Sequence, residues 1–256
     1  MLKITVRINK FTMKNNQSFT ILFLFVFTII SISTEVIAQK NTRMSFQISP
    51  LCSYLNADFG HDVFYVVQGI KEPQLGFSSA VKFEVDLDNR FSVSTGLTYE
   101  IRNNSYKTDL YDTTATYQLL FPMPYHLNSE ATYHFIGIPI ALNVNYLKNS
   151  SLRIYQSFGT QFSFLVSSRF KGMEYWEKEG VVNYSRKGNS EDINNVIVSL
   201  SSSIAVCKYI SKNIAFKIEP GVNYMVNNFW NDSFAKEKFF DLKVDVGIIY
   251  NLNNKN

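Results

Sequence analysis

The chain has 256 residues, enough for one domain besides an export segment, and its 25 Lys and Arg against 21 Asp and Glu give a formal net charge of +4. Four of the basic residues and Glu35 fall within the first 38 positions, so the rest of the chain carries 21 basic and 20 acidic side chains. A segment this close to neutrality gives no support to a nucleic-acid partner.

The first 38 residues have the organisation of a cleavable signal peptide. Basic residues precede an apolar run of 13 residues, 21–33 (ILFLFVFTIISIS), and small or apolar residues lead to Ala38 and Gln39. A helix needs about 20 apolar residues to cross a bilayer, so this run is too short for a membrane anchor. We therefore predict cleavage between Ala38 and Gln39, which leaves 39–256 as one domain. An uncleaved anchor helix is the alternative, and Met13 is an alternative to Met1 as the start of translation.

Apolar and polar residues alternate along eight later segments, the pattern of β-strands whose two faces differ. In segment 91–102, for example, Val93 and Leu97 lie on the face opposite to Ser94. In chain order the predicted strands are 44–54, 75–88, 91–102, 132–146, 152–166, 195–207, 214–226 and 240–252. An all-β fold with eight antiparallel strands follows from this pattern.

The connections between these strands alternate in length. Short links lie at 88–90, 148–151 and 211–213, whereas the longer, polar links are 55–74, 103–131, 167–194 and 227–239. Short turns at one end and long loops at the other are typical of an up-and-down transmembrane β-barrel in the bacterial outer membrane, with the short turns facing the periplasm.

The polar strand faces carry charges of both signs among small residues. These charged residues are Lys82, Glu84, Asp86, Glu100, Arg102, Arg153, Lys217, Glu219, Asp241, Lys243 and Asp245. In a small closed barrel they would meet across the lumen as an ionic network, while the apolar faces contact lipid. The alternative is a secreted, soluble, lipocalin-like ligand-binding barrel with solvated charges. Strand lengths and the tyrosines near strand ends favour the membrane barrel.

Two stretches carry a resemblance to a known family. The segments 133–142 (YHFIGIPIAL) and 246–252 (VGIIYNL), together with the signal peptide ending at Ala38-Gln39, resemble the PorT-like outer-membrane β-barrel proteins of Bacteroidetes. The resemblance implies an eight-stranded barrel and, for one branch, a role in type IX secretion and gliding. Pro139 suits a strand only where the ladder is interrupted or bulged. The chain departs from the usual ending, because Leu252 replaces a final aromatic residue.

Few residues suggest chemistry. His61, His126 and His134 show no metal-binding spacing, and the 11 glycines form no phosphate-binding loop, so we predict no catalytic, cofactor or metal site. His126 and His134, with Ser129, nevertheless support an alternative hypothesis, a lipid-modifying hydrolase at the outer rim. Cys52 and Cys207 are expected to be packing residues, although a disulfide between them is the alternative.

The long loops are the expected functional surface, because eight strands leave no room for a diffusion pore. They contain the aromatic candidate contacts Tyr111, Tyr117, Phe121, Tyr125, Tyr175 and Trp176. Such residues either contact proteins or glycans or stabilise strands that extend beyond the membrane. We expect a non-enzymatic outer-membrane barrel with a structural, adhesion or secretion-accessory role. Its expected partners are outer-membrane lipid and, through the loops, other envelope or secretion proteins.

Overall fold

The computed structural model describes residues 41–59, 69–109, 126–176, 180–187, 193–229 and 235–252. The strands in this part of the chain are β1 Thr42–Phe59, β2 Gly69–Glu72, β3 Gln74–Asp86, β4 Phe91–Asp109, β5 His126–Lys148, β6 Leu152–Trp176, β7 Gly180–Lys187, β8 Val196–Tyr209, β9 Ile214–Met225 and β10 Ala235–Asn251. Among these residues no helix has the length and apolar character of a membrane span. The predicted signal peptide and its cleavage site at Ala38 and Gln39 lie outside the described residues.

Eight of the strands close into an antiparallel barrel, as predicted. The order around the barrel is β1, β3, β4, β5, β6, β8, β9 and β10, and β10 pairs with β1 to complete the circle. Tight turns at 87–90, 149–151 and 210–213 lie at one end, which we call the turn end; the opposite end is the loop end. Asp88 shows why the chain reverses there, because its carboxylate accepts hydrogen bonds from the backbone N–H groups of Arg90 and Phe91 at 2.7 and 2.6 Å.

The strands run further towards the loop end than the sequence predicted. Parts of the expected loops 103–131 and 167–194 are strand, because β4, β5 and β6 have 19, 23 and 25 residues. Two short strands join them, β2 beside β4 and β7 beside β6. The sequence missed β7 because seven of its eight side chains are exposed, so no apolar face alternates with a polar one. Together β2, β4, β5, β6 and β7 form a sheet that we call the loop-end sheet.

Three strand prolines coincide with interruptions of the hydrogen-bonded ladder. Pairing skips two positions beside Pro50 between β1 and β10, beside Pro139 between β4 and β5, and beside Pro220 between β8 and β9. Proline has no N–H to donate, so the ladder opens at these points. The position of Pro139 agrees with the sequence-based expectation.

The outward face of the barrel is an apolar wall. Exposed outward residues include Phe46, Ile48, Leu97, Ile136, Phe158, Val166, Ile204, Leu242 and Ile248. Tyr250 pairs with Ile214 near the turn end, and Tyr224 pairs with Phe240 ten residues further along β9. At about 3.3 Å per residue and a strand tilt of about 40°, these rows are about 25 Å apart along the barrel axis, the height of the apolar band of an outer-membrane barrel.

The interior has the opposite character, since buried polar and charged side chains outnumber buried apolar ones among the described residues. A soluble barrel turns its apolar face inward, so this arrangement contradicts the soluble lipocalin-like alternative. The chain is an outer-membrane β-barrel.

Candidate functional site in the lumen and at the loop end

At the turn end, two arginines converge on one carboxylate. Arg43 Nη1 donates to Glu84 Oε1 at 2.9 Å, and Arg153 donates to both Glu84 oxygens, with Nη1 at 3.0 Å from Oε2. Asp86 accepts from Arg43 and from Lys148 Nζ, the latter at 2.8 Å. Arginine forms such two-pronged contacts because its planar donors match a carboxylate. The cluster occupies the lumen at this end.

The middle of the lumen holds a lysine-rich layer. Lys217 contacts Glu219 at 2.5 Å, while Lys82 and Lys243 lie 3.6 and 3.5 Å from Asp245 Oδ2. A cavity of about 40 Å³ lies within this layer. That space accommodates about two or three water molecules, which suits polar walls.

Nearer the loop end, Arg102 lies between two acids. Its Nη2 is 3.0 Å from Glu100 Oε2 and 3.0 Å from Asp241 Oδ2. Above it, the guanidinium carbon is 5.3 Å from the centre of the Phe135 ring and 5.5 Å from that of Phe239. Arg102 therefore joins the ionic lumen to the aromatic layer beyond it through cation–π contacts.

An apolar cap fills the lumen at the loop end. It consists of Ala131, Tyr133, Phe135, Ile193, Ile197, Met225, Phe229 and Phe239. The rings of Tyr133 and Phe229 meet edge to face at 4.8 Å, and those of Phe229 and Phe239 at 5.1 Å. These geometries are favourable for aromatic pairs.

Two members of the cap come from connections rather than barrel strands. Ile193 precedes β8 and Phe229 follows β9, and backbone hydrogen bonds hold both segments in place. Asn194 N donates to Phe229 O and Phe229 N donates to Glu237 O, each at 2.8 Å. The cap as a whole was not predicted from the sequence, because residues in connections carry no periodic signal. Tyr133 and Phe135 follow Ala131 at alternate positions of β5, and Ile197 and Met225 lie in the predicted strands 195–207 and 214–226. The sequence pattern could therefore have revealed these members of the cap, but not Ile193 and Phe229.

The structure places all eleven charged residues of the proposed lumen network inside the barrel. It adds Arg43 and Lys148, which the sequence pattern did not predict. Arg43 lies one residue before the first predicted strand, and Lys148 lies in a predicted link. Glu237 is a further buried acid at the loop end.

Most of the aromatic loop candidates lie outside the residues that the structure describes. Tyr111, Tyr117, Phe121 and Tyr125, together with His61, lie outside the described residues. The backbones of His126 and Trp176 belong to β5 and β6, but their side chains are not among those described. Tyr175 lies half-buried on β6.

His134 lies on the outer surface of the barrel rather than in the lumen. Its Nδ1 is 2.7 Å from Tyr99 Oη, and the two rings stack with centroids 6.0 Å apart. This partner is a phenol, whereas the hydrolase hypothesis needs a serine nucleophile or an orienting carboxylate. Within the described residues, no group of three or more His, Cys, Asp or Glu side chains could hold a metal ion.

The two cysteines lie on opposite sides of the barrel wall. Cys207 is fully buried inside, whereas Cys52 is half-exposed and pairs with the outward-facing Leu242. Both are free thiols. The intramolecular disulfide considered as an alternative is therefore wrong, because its sulfur atoms would have to meet through the wall.

The sequence matches no protein-family model and no curated protein. The structure is similar to solved bacterial outer-membrane barrels at low identity. The attachment invasion locus protein Ail of Yersinia pestis, in complex with the heparin analogue sucrose octasulfate, is 13% identical over 82% of this chain and 99% of that chain, with a TM-score of 0.37.

Two further barrels are similar to a comparable extent. The outer membrane protease OmpT of Escherichia coli is 9% identical over 83% of this chain and 97% of that chain, with a TM-score of 0.44. Neisserial surface protein A is 12% identical over 81% of this chain and 96% of that chain, with a TM-score of 0.38. These similarities assign no activity, ligand or partner to this chain.

Proposed function

We propose that this chain is a non-enzymatic outer-membrane barrel whose loop end binds other envelope proteins, in an adhesion or secretion-accessory role. The observation that supports this role most is the lumen filled by side chains, with the Glu84 cluster at one end and the apolar cap at the other. Because the wall faces lipid and the interior is filled, the loop-end sheet is left as a surface open to a partner. The resemblance to PorT-like proteins favours secretion over adhesion.

Site-specific photo-crosslinking in living cells tests the proposal. A benzophenone amino acid at Val182 of β7 is expected to capture envelope proteins, because this side chain is exposed at the loop end. The same group at Ile210, exposed in a turn at the opposite end, is the matched control. Specific adducts at Val182 but not at Ile210 support the proposal. Adducts only at Ile210 would contradict it and place the partner in the periplasm.

The proposed role in secretion can be tested separately, by the amount of cargo outside the cell. Deletion of the gene is expected to lower the amount of type IX cargo outside the cell, and re-expression should restore it. Unchanged secretion together with loss of surface attachment would instead favour adhesion. The re-expressing strain also tests export. The measured mass of the protein in its outer membrane should correspond to a chain that begins at Gln39.

A second candidate is the lipid-modifying hydrolase. The Tyr99 and His134 pair lies on the outer surface close to where Val166 ends the apolar wall of β6, so lipid head groups are within its reach. Lipid mass spectra of cells carrying His134→Ala or Tyr99→Phe test this activity. If the spectra match those of the parent strain while a gene deletion also changes nothing, the hydrolase is excluded.

A further inference from the structure

The β6 and β7 hairpin begins where the apolar wall of the barrel ends. Val166, 57% exposed, is the last outward apolar residue of the barrel part of β6, and the next outward residues are Ser167 and Arg169. At about 3.3 Å per residue, Arg169 lies about 10 Å along the strand beyond Val166. Arg169 therefore lies on the head-group side of the apolar wall, and its long side chain can extend back towards the lipid head groups.

Three cations share the outward face of the hairpin at this level. Arg169 lies directly across from Lys187, and Lys171 follows two residues along β6 on the same face. All three side chains are exposed. Like charges directly opposite each other destabilise an antiparallel pair, so this arrangement costs free energy unless an anion lies between them.

These cations lack the partners that the lumen cations have. Each of the seven lysines and arginines in the lumen network lies within 4.0 Å of a carboxylate oxygen. Among the residues that the structure describes, no acid forms an ion pair with Arg169, Lys171 or Lys187. Even Glu130, directly across from Lys171 on β5, does not.

We propose that Arg169, Lys171 and Lys187 bind phosphate groups of an outer-leaflet lipid, in particular a phosphorylated glycolipid such as lipid A. The guanidinium of Arg169 offers paired donors that match phosphate oxygens, and the two ammonium groups add positive charge on either side. A lipid is favoured over a free anion because the exposed wall continues directly below the cations, where Val166 and Phe162 contact acyl chains. The inference rests on the membrane placement of the barrel and not on the role proposed above.

Lipid retention by the purified full-length protein tests the site. Arg169→Gln/Lys171→Gln/Lys187→Gln removes the cluster, and Arg90→Gln/Lys208→Gln/Lys212→Gln removes the same charge from exposed positions near the turn end. Each protein is mixed in neutral detergent with lipid A, with dephosphorylated lipid A, or with inorganic phosphate. Native mass spectrometry measures retained lipid, and heat-modifiable gel migration shows that each variant is folded.

Parent and control proteins are expected to retain lipid A. The cluster variant should retain it about tenfold less well or worse, because three charge-assisted contacts are lost. Dephosphorylated lipid A should bind weakly to all three proteins. Equal retention by the cluster variant, or equal retention of both lipids by the parent, would overturn the proposal. Full displacement of lipid A by inorganic phosphate would overturn the assignment to lipid. If the triple variant does not fold, Arg169→Gln and Lys187→Gln singly provide the same comparison.

Discussion

Glu84 illustrates how single residues hold charge inside this barrel. Its carboxylate accepts hydrogen bonds from Arg43, from Arg153 and from Ser92, and the side chain is almost fully buried. A buried charge with such partners is stable, whereas a buried charge without one is costly. Glu84 therefore compensates two arginines at once.

Replacing Glu84 by Gln should lower the free energy of unfolding by about 3 to 5 kcal/mol, because Arg43 and Arg153 would lose a shared counter-charge in a buried site. Urea titration in detergent micelles, followed by heat-modifiable migration, measures the change. Lys148→Gln is the matched control. This lysine lies at the rim with its side chain 25% exposed, and Arg43 would still compensate Asp86, so its effect should stay below about 1 kcal/mol. Equal effects of the two substitutions would contradict the assigned role of Glu84.

Gly96 is a position where the barrel wall leaves no space for a side chain. A Cβ atom there would lie 2.1 Å from the carbonyl oxygen of Val81 and 2.8 Å from Lys82 Cα, both backbone atoms of β3. Gly96→Ala should therefore push β3 and β4 apart and reduce the folded fraction in cells. Ser94→Ala, two residues earlier on the same strand face, is expected to fold normally. A folded Gly96→Ala barrel with unchanged urea midpoint would show that the strands can separate without cost.

At the scale of secondary-structure elements, the sequence predicted the strands and turns that are encoded by alternating apolar and polar residues and by turn-forming side chains. The eight barrel strands were found because apolar and polar faces alternate between recognisable turns such as 87–90. The inward positions of the charges followed from the alternation of residues along each strand. Arg43 was missed because the predicted strand began at residue 44, two residues after the start of β1 at Thr42. β2 lies within the predicted link 55–74 and was not predicted, and neither was β7, because exposure on both of its faces leaves no apolar periodicity. The apolar cap was not predicted because Ile193 and Phe229 reach it from connections, through hydrogen bonds that depend on the folded structure.

The packing of the apolar cap leads to a prediction about the stability of the barrel. Phe229 is fully buried against Tyr133 and Phe239, so Phe229→Ala should lower the free energy of unfolding by about 3 to 5 kcal/mol. Leu252→Ala removes an exposed apolar side chain next to the last strand and should change the free energy by less than about 1 kcal/mol. The urea midpoints of both variants, measured in detergent micelles as for the Glu84→Gln variant, test this prediction. A Phe229 variant as stable as the parent would mean that the cap contributes no packing energy.

At the scale of the whole molecule, three layers of side chains follow one another along the lumen. The Glu84 cluster, the lysine-rich layer and the Arg102 group fill the barrel below the apolar cap, and eight strands enclose little space beyond their side chains. We therefore expect no steady ion conductance from the protein in planar lipid bilayers. Phe229→Ala should remain closed as well, because removing the cap leaves Arg102 held between Glu100 and Asp241. A sixteen-stranded porin reconstituted in the same bilayers serves as the conducting control. Stable unitary currents from the parent protein would show that the lumen opens, and would indicate a function in the barrel interior rather than on the loop-end sheet.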